Sequence, residues 1–279
     1  MNTRPCRTLR LSRWFPRALL IGATLLATAC ATSTRPGAVG IERSQFLAVP
    51  AATVEKMAAL SYAEQNNKAK SAGALIVGGP IVDRLRRIEQ RLVPQTTVFR
   101  DDALNWKWQL AVIESPELNA SCAPGGKITF YTGLIQQLSL TDDEIAAVMG
   151  HEIAHALREH GRERISQAYA QNLITGVALA ATNNREAEIA LANQFSHFLF
   201  ELPHSRLEET EADQIGLELA ARAGYDPRAA LSLWRKMEAA NKGNAPPEFL
   251  STHPSSGHRQ QDIESLLPTV MPLYQQAKR

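Results

Sequence analysis

The sequence predicts an α+β, mostly helical fold in which a small β-sheet lies beside one histidine-bearing helix. Three observations predict it. Apolar residues recur at helical spacing over residues 81–92, they alternate with period two between Asn105 and Ser115, and a capping-box sequence opens a run of helix formers at Thr141. A chain of 279 residues, 44% of them hydrophobic, can bury one sizeable core.

Residues 1–29 read as an export signal of lipoprotein type. Arg4, Arg7, Arg10, Arg13 and Arg17 precede the apolar run Ala18 to Ala29, which has the length of a signal's hydrophobic region and is too short to span a bilayer. Ala27-Thr28-Ala29-Cys30 places small residues before a cleavage point and a cysteine after it, resembling a bacterial lipobox. A lipid anchor to the membrane via Cys30 is therefore expected. Ala31 after the cysteine, by resemblance to enterobacterial lipoproteins, points to the periplasmic face of the outer membrane, with a soluble periplasmic protein as the alternative.

Removing the first 29 of 279 residues leaves 250, read as a tether over residues 30–50 and one domain over residues 51–279. The tether reading rests on small, polar, Pro- and Gly-containing composition. Cys122 remains without an intramolecular partner, so no disulfide framework is expected. Thirty basic residues against 28 acidic ones give +2, and nothing in this balance points to nucleic acid.

The first helix is expected over Ala52 to Asn67. After Gly78-Gly79-Pro80, a second carries Ile81, Leu85, Ile88 and Leu92 on one stripe and stops near Pro94. The alternation of Trp106, Trp108, Leu110 and Val112 reads as a strand, and a Pro124-Gly125-Gly126 loop leads to another over Lys127 to Thr132. Thr141 and Glu144 form the capping box of a helix that runs to about His160. Helical stretches are expected over Ser166 to Asn183 and Arg206 to Ala221. Asp226-Pro227 opens another, with Leu231 and Trp234 on one side, and a short helix follows Arg259.

The chemistry sits on the capped helix. His151-Glu152-Ile153-Ala154-His155 places two imidazoles at i and i+4, on one face and within reach of a single ion, expected to be Zn2+, one per chain. Glu152 lies beside that position as the catalytic base. No metzincin-type third histidine is in register, so a carboxylate from another helix should complete the set. Glu208-Glu209-Thr210-Glu211-Ala212-Asp213 supplies candidates. Glu209 and Asp213, four apart, share a face, so Glu209 can bind the metal while Asp213 reaches a ligand histidine's free N–H. Glu208 and Glu211 read as a solvated acidic face.

Five ordered motifs then show a resemblance. They are Asn119-Ala120 with Pro124-Gly125-Gly126-Lys127-Ile128 and Tyr131-Thr132-Gly133-Leu134; the HExxH with His160; Ser205-Arg206 with Glu209, Glu211, Ala212 and Asp213; Gly224-Tyr225-Asp226-Pro227; and Ser251-Thr252-His253-Pro254 with Arg259. The chain resembles the gluzincin zinc metalloproteases of the HtpX and CAAX-prenyl-protease superfamily over residues 50–267, most closely the periplasmic BepA/LoiP-like branch. The resemblance implies a zincin-like fold, Glu209 as third ligand with Asp213 as its partner, and His253 as a fourth ligand or latch. It also implies that Gly126, Lys127, Ile128 and Thr129 lie on the edge strand that aligns an extended substrate. Cys122 and His204 depart from the common pattern and are expected not to touch the ligands. The function implied is hydrolysis of peptide bonds in unfolded or misassembled cell-envelope proteins; the alternative is a non-catalytic, zinc-containing periplasmic chaperone or scaffold.

Overall fold

The computed structural model describes residues 30–171, 192–193, 195–241, 248–254 and 258–279. The export-signal reading lies outside these residues, as does most of the stretch read over Ser166 to Asn183. Among the described residues no helix is long and apolar enough to cross a membrane.

A two-stranded ribbon, β1 (Cys30–Ala31) and β2 (Gln45–Phe46), precedes helix α1 (Ala51–Ser71). Residues 30–50, expected as a tether, form a strap packed on the body. Ile41, Leu47 and Val49 are buried, and Glu218 accepts hydrogen bonds from the backbone of Ala38 (2.7 Å) and Val39 (3.0 Å). After β3 (Leu75–Ile76), helix α2 (Pro80–Leu92) buries Val82, Leu85, Ile88 and Leu92. Helical turns over Val93–Val98 and Asp101–Asn105 lead into β4 (Gln109–Ile113). Trp106 and Trp108 thus stand before the strand they were expected to join, and Trp108 donates its indole N–H to Ala103 O at 2.8 Å.

The sheet has the order β3-β4-β6-β5, where β5 is Ala120–Ala123 and β6 is Lys127–Tyr131. β6 pairs parallel with β4 and antiparallel with β5, so its backbone is bonded on both sides. The turn between β5 and β6 needs Gly125 (φ 77°) and Gly126 (φ 76°), and a Cβ on Gly126 would stand 2.7 Å from the Trp108 ring.

The short helix α3 (Thr132–Gln137) precedes α4 (Asp142–Leu157), which starts at the expected capping box: Thr141 Oγ1 accepts from Glu144 N (3.3 Å), and the Glu144 carboxylate accepts from Thr141 N (2.8 Å). Ile145, Val148, Met149, Ile153 and Leu157 are fully buried, and every residue of α4 from Glu144 to Leu157 is buried, the histidines and Glu152 included. α4 ends at Leu157 rather than near His160, because Glu159 turns into the left-handed region (φ 52°) and starts α5 (His160–Ala170).

Ser205 and Glu208 form a second capping box at the head of α6 (Arg206–Arg222). α7 (Ala229–Ala240) begins after an Asp226-Pro227-Arg228 turn, and α8 (Glu248–Thr252) delivers His253. α9 (Arg259–Ala277) has 19 residues where a short helix was expected. Its two prolines, Pro268 and Pro272, fall four apart on the exposed face, so neither ring wedges into the packed side. The small mixed sheet beside a large helical body is the expected fold class.

Candidate metal centre

α4 and α6 cross at two glycines. A Cβ on Gly216 would lie 2.7 Å from His151 N, and one on Gly150 would lie 2.9 Å from Gly216 O. Without side chains there, the helices approach closely enough for Glu209 to reach the imidazoles of His151 and His155.

The structure brings His151, His155, Glu209 and His253 together: each offers one ligand atom, all within 4.8 Å of one another, and all four residues are buried. The two imidazole Nε2 atoms are 3.1 Å apart, and Glu209 lies 3.6 Å from His151 and 3.4 Å from His155. Nitrogen and oxygen donors around tetrahedral zinc are separated by about 3.4 Å, given bonds of about 2.1 Å. The donor chemistry and the observed spacings therefore fit zinc.

Asp213 places its Oδ1 3.0 Å from His151 Nδ1. Glu152 is buried, and its Oε1 has no hydrogen-bond partner among the described residues; the nearest imidazole nitrogen, His253 Nε2, is 3.5 Å away. Burial raises the Glu152 carboxyl above the usual carboxylate range. Burial alone would also raise Glu209, but His253, His155 and His151 outweigh it and hold that carboxyl well below its ordinary value. Burial pushes His155 well below the ordinary histidine value, which keeps its ring neutral.

His253 is held in the centre. Its Nδ1 is 3.0 Å from Glu209 Oε1, and its ring stacks between Phe249 (4.3 Å) and His204 (4.9 Å). His204 was expected to stay clear of the ligands, yet its ring centroid is 4.0 Å from that of His155. Cys122 is buried on β5.

Two further expectations are corrected. Gly126, Lys127, Ile128 and Thr129 are not on an edge: Lys127 Nζ is tied to the Gly125 carbonyl (3.0 Å), Ile128 is fully buried, and Thr129 donates to Gln65 (3.1 Å). The tight glycine turn folds β5 back outside β6, so among the described residues β5 is the edge strand, and Ala120–Ala123 line a cleft with Glu152, His155, His204 and His253. The acidic face assigned to Glu208 and Glu211 is buried as well. Glu208 caps α6, while Glu211 takes Arg158 (3.1 Å), Arg43 (2.8 Å) and His160 (3.0 Å).

Sequence reasoning gave Arg259 no role. Its guanidinium donates to Glu209 Oε2 (2.7 Å) and Asp213 Oδ1 (2.7 Å) and lies 3.6 Å over the Trp234 ring. A cation next to a histidine-proline loop carries no periodic signal; its place in the fifth motif was the available hint.

Curated relatives match this region. The mitochondrial metalloendopeptidase OMA1 of Schizosaccharomyces pombe is 44% identical over 168 residues, covering 58% of this chain and 47% of that protein. The OMA1 metalloendopeptidase of Bos taurus, also named mitochondrial, is 38% identical over 59% of this chain and 33% of its own length. The β-barrel assembly-enhancing protease of Escherichia coli is 26% identical over 60% of this chain and 36% of that protein. The chain thus spans half or less of these relatives' lengths. Because the more similar relatives are mitochondrial, they overturn the expectation of a periplasmic location, whether as a lipoprotein on the outer membrane or as a soluble protein. The profile of Peptidase family M48 matches residues 82–267, which carry both helices of the centre, and the chain therefore belongs to peptidase family M48, whose members are zinc metalloproteases.

Proposed function

We propose that the chain is an endopeptidase that hydrolyses peptide bonds in unfolded or misassembled proteins, with His151, His155 and Glu209 holding zinc and Glu152 as catalytic base. One observation carries it: the unpartnered Glu152 oxygen and the buried donor cluster open on the same cleft as the outer edge of β5. When bound, zinc supplies Lewis acidity, polarising a carbonyl and lowering the pKa of water.

The chain's own residues supply the rest. The outer edge of β5, which lines the cleft, aligns an extended segment by main-chain pairing, which reads little side-chain identity and therefore favours unfolded substrates. Glu152, raised by burial, takes a proton from the attacking water and returns it to the leaving nitrogen. Asp213 orients His151, and Arg259 holds Glu209 and Asp213 together. The name of the Escherichia coli relative, which joins proteolysis to β-barrel assembly, supports misassembled proteins as substrates.

Glu152→Gln keeps zinc and abolishes cleavage of an unfolded protein such as casein, and the same variant serves as a substrate trap. Proteolysis surviving that change would refute the mechanism. His253 favours a second reading, since with it the centre has four donors, as a structural site does. In the enzyme reading His253 is a latch, and His253→Ala raises casein cleavage. A zinc-holding scaffold would show no cleavage in either form.

A further inference from the structure

His155 directs Nε2 at the donor cluster and Nδ1 at the start of α5, where His160 Nδ1 lies 2.9 Å away. His160 is fully buried, and its Nε2 stands 3.0 Å from Glu211 Oε2. Two imidazoles in contact through their nitrogens must divide the roles of donor and acceptor. Glu211 decides the division. It receives N–H groups from Arg158 Nε (3.1 Å) and Nη2 (3.1 Å) and from Arg43 Nε (2.8 Å), so it is ionised and can only accept. His160 therefore carries its proton on Nε2 and accepts at Nδ1. His155 must then carry its proton on Nδ1.

We propose that Glu211 and His160 are positioning residues that lock His155 in the Nδ1–H tautomer, the form whose Nε2 lone pair faces the donor cluster. This rests on the reading of His155 as a zinc ligand. The relay does for His155 what Asp213 does for His151, through one more ring. It is closed from outside by the strap. Arg43 bridges Glu211 and Glu163 (2.7 Å), and Gln45 Nε2 donates to Arg158 O (2.5 Å) and Glu163 Oε2 (2.9 Å). Arg158 is fully buried and Glu211 is buried with it, so the carboxylate is shielded from solvent.

The test uses the full chain and zinc itself. In the metal-free wild type, long-range 1H–15N correlation spectra of the rings should show His155 protonated at Nδ1 and His160 at Nε2; the reverse tautomer on His155 overturns the proposal without any variant. Zinc affinity is then measured by chelator competition. His160→Ala should weaken it roughly 10- to 100-fold. His160→Asn, whose Oδ1 occupies the place of Nδ1 and can accept, should recover most of that loss. A residue that only fills space would leave Asn and Ala alike. Glu211→Gln should also weaken binding, and adding it to His160→Ala should cost nothing further, because both cut one chain. A dissociation constant for His160→Ala within threefold of wild type sinks the relay. His155→Ala is the control: if it leaves zinc affinity unchanged, the ligand reading itself fails. A large loss there with an unaffected His160→Ala condemns the relay alone.

Discussion

His151 and His155 stand one turn apart on α4, and the two ends of the chain support them. Behind His151 lie Asp213 and then Arg259, the first residue of the C-terminal helix α9. Behind His155 lie His160, Glu211, Arg158 and finally Arg43 from the N-terminal strap. The C-terminal support is a single cation shared by two carboxylates, whereas the N-terminal support is a network in which Glu211 has three partners. One identical task, orienting an imidazole, is thus met once by a clamp with no reserve and once with redundancy.

The largest expected effect tests that contrast. Arg259→Met leaves the buried Glu209 and the half-buried Asp213 without their guanidinium, and breaking a buried pair by removing one partner costs about 3–5 kcal/mol. Arg43→Met leaves Glu211 with Arg158 and His160, and leaves Glu163 with Gln45, so it should cost less than about 2 kcal/mol. Urea denaturation of the metal-free proteins at pH 7 ranks them. Equal losses would show that the strap side has no reserve.

A second comparison follows the distance from the donors. Asp213→Ala removes a direct partner of a ligand imidazole and should weaken zinc binding roughly 10- to 100-fold by chelator competition. Arg43→Met, three residues away along the relay, should change the same constant less than about threefold, because Arg158 still holds Glu211. If Arg43→Met matched Asp213→Ala, the strap would be part of the centre rather than its outer wall.

The two supports also differ in how readable they are. Asp213 was legible because one helix carries it four residues from Glu209, so spacing alone places both on one face. Glu211 is turned about 200° around the same helix from Glu209, and it read as solvated because an isolated acidic face looks the same whatever covers it. What covers it is Arg43, 168 residues earlier, in a stretch whose small and polar composition gave no strand or helix signal. The edge strand failed for a related reason. Both strands of the β5–β6 hairpin run beside the same glycine turn, and only pairing of β6 with distant β4 decides which is at the edge. The helix start marked by Thr141 and the HExxH spacing are local features, and they survive intact.

Between the two supports lies the α4–α6 crossing, which both imidazoles depend on. Gly216→Ala puts a methyl 2.7 Å from His151 N, a contact with backbone that no rotamer can relieve. Overpacking of this kind should destabilise the metal-free protein by about 1–3 kcal/mol. Because the push falls on His151 rather than His155, nuclear magnetic resonance shifts should move more for the His151 ring. A larger shift at His155 would mean that the helices rotate about the crossing instead of separating.

The smallest effect concerns the His155 side alone. His204 stacks on His155, and burial holds it well below the ordinary 6.5, with the nearby His155 adding to the same direction. Its Nδ1 is buried with no hydrogen-bond partner among the described residues, and the Glu208 carboxylate, 3.9 Å away, is beyond hydrogen-bond reach. A histidine with a depressed folded pKa leaves stability intact above 6.5. Below that value the unfolded chain takes up a proton that the folded one refuses, and stability falls toward the folded pKa. For one histidine the slope is roughly 1.4 kcal/mol per pH unit. His204→Phe keeps an aromatic ring in the stack and removes the proton, so between pH 6 and 5 its metal-free stability should decline less steeply than wild type by about that slope. Since Glu152 and His253 titrate nearby in both proteins, the difference between the two curves isolates His204. Parallel curves would mean that its ring accepts a proton in the folded state, with Glu208, 3.9 Å from Nδ1, as the counterion that stabilises it.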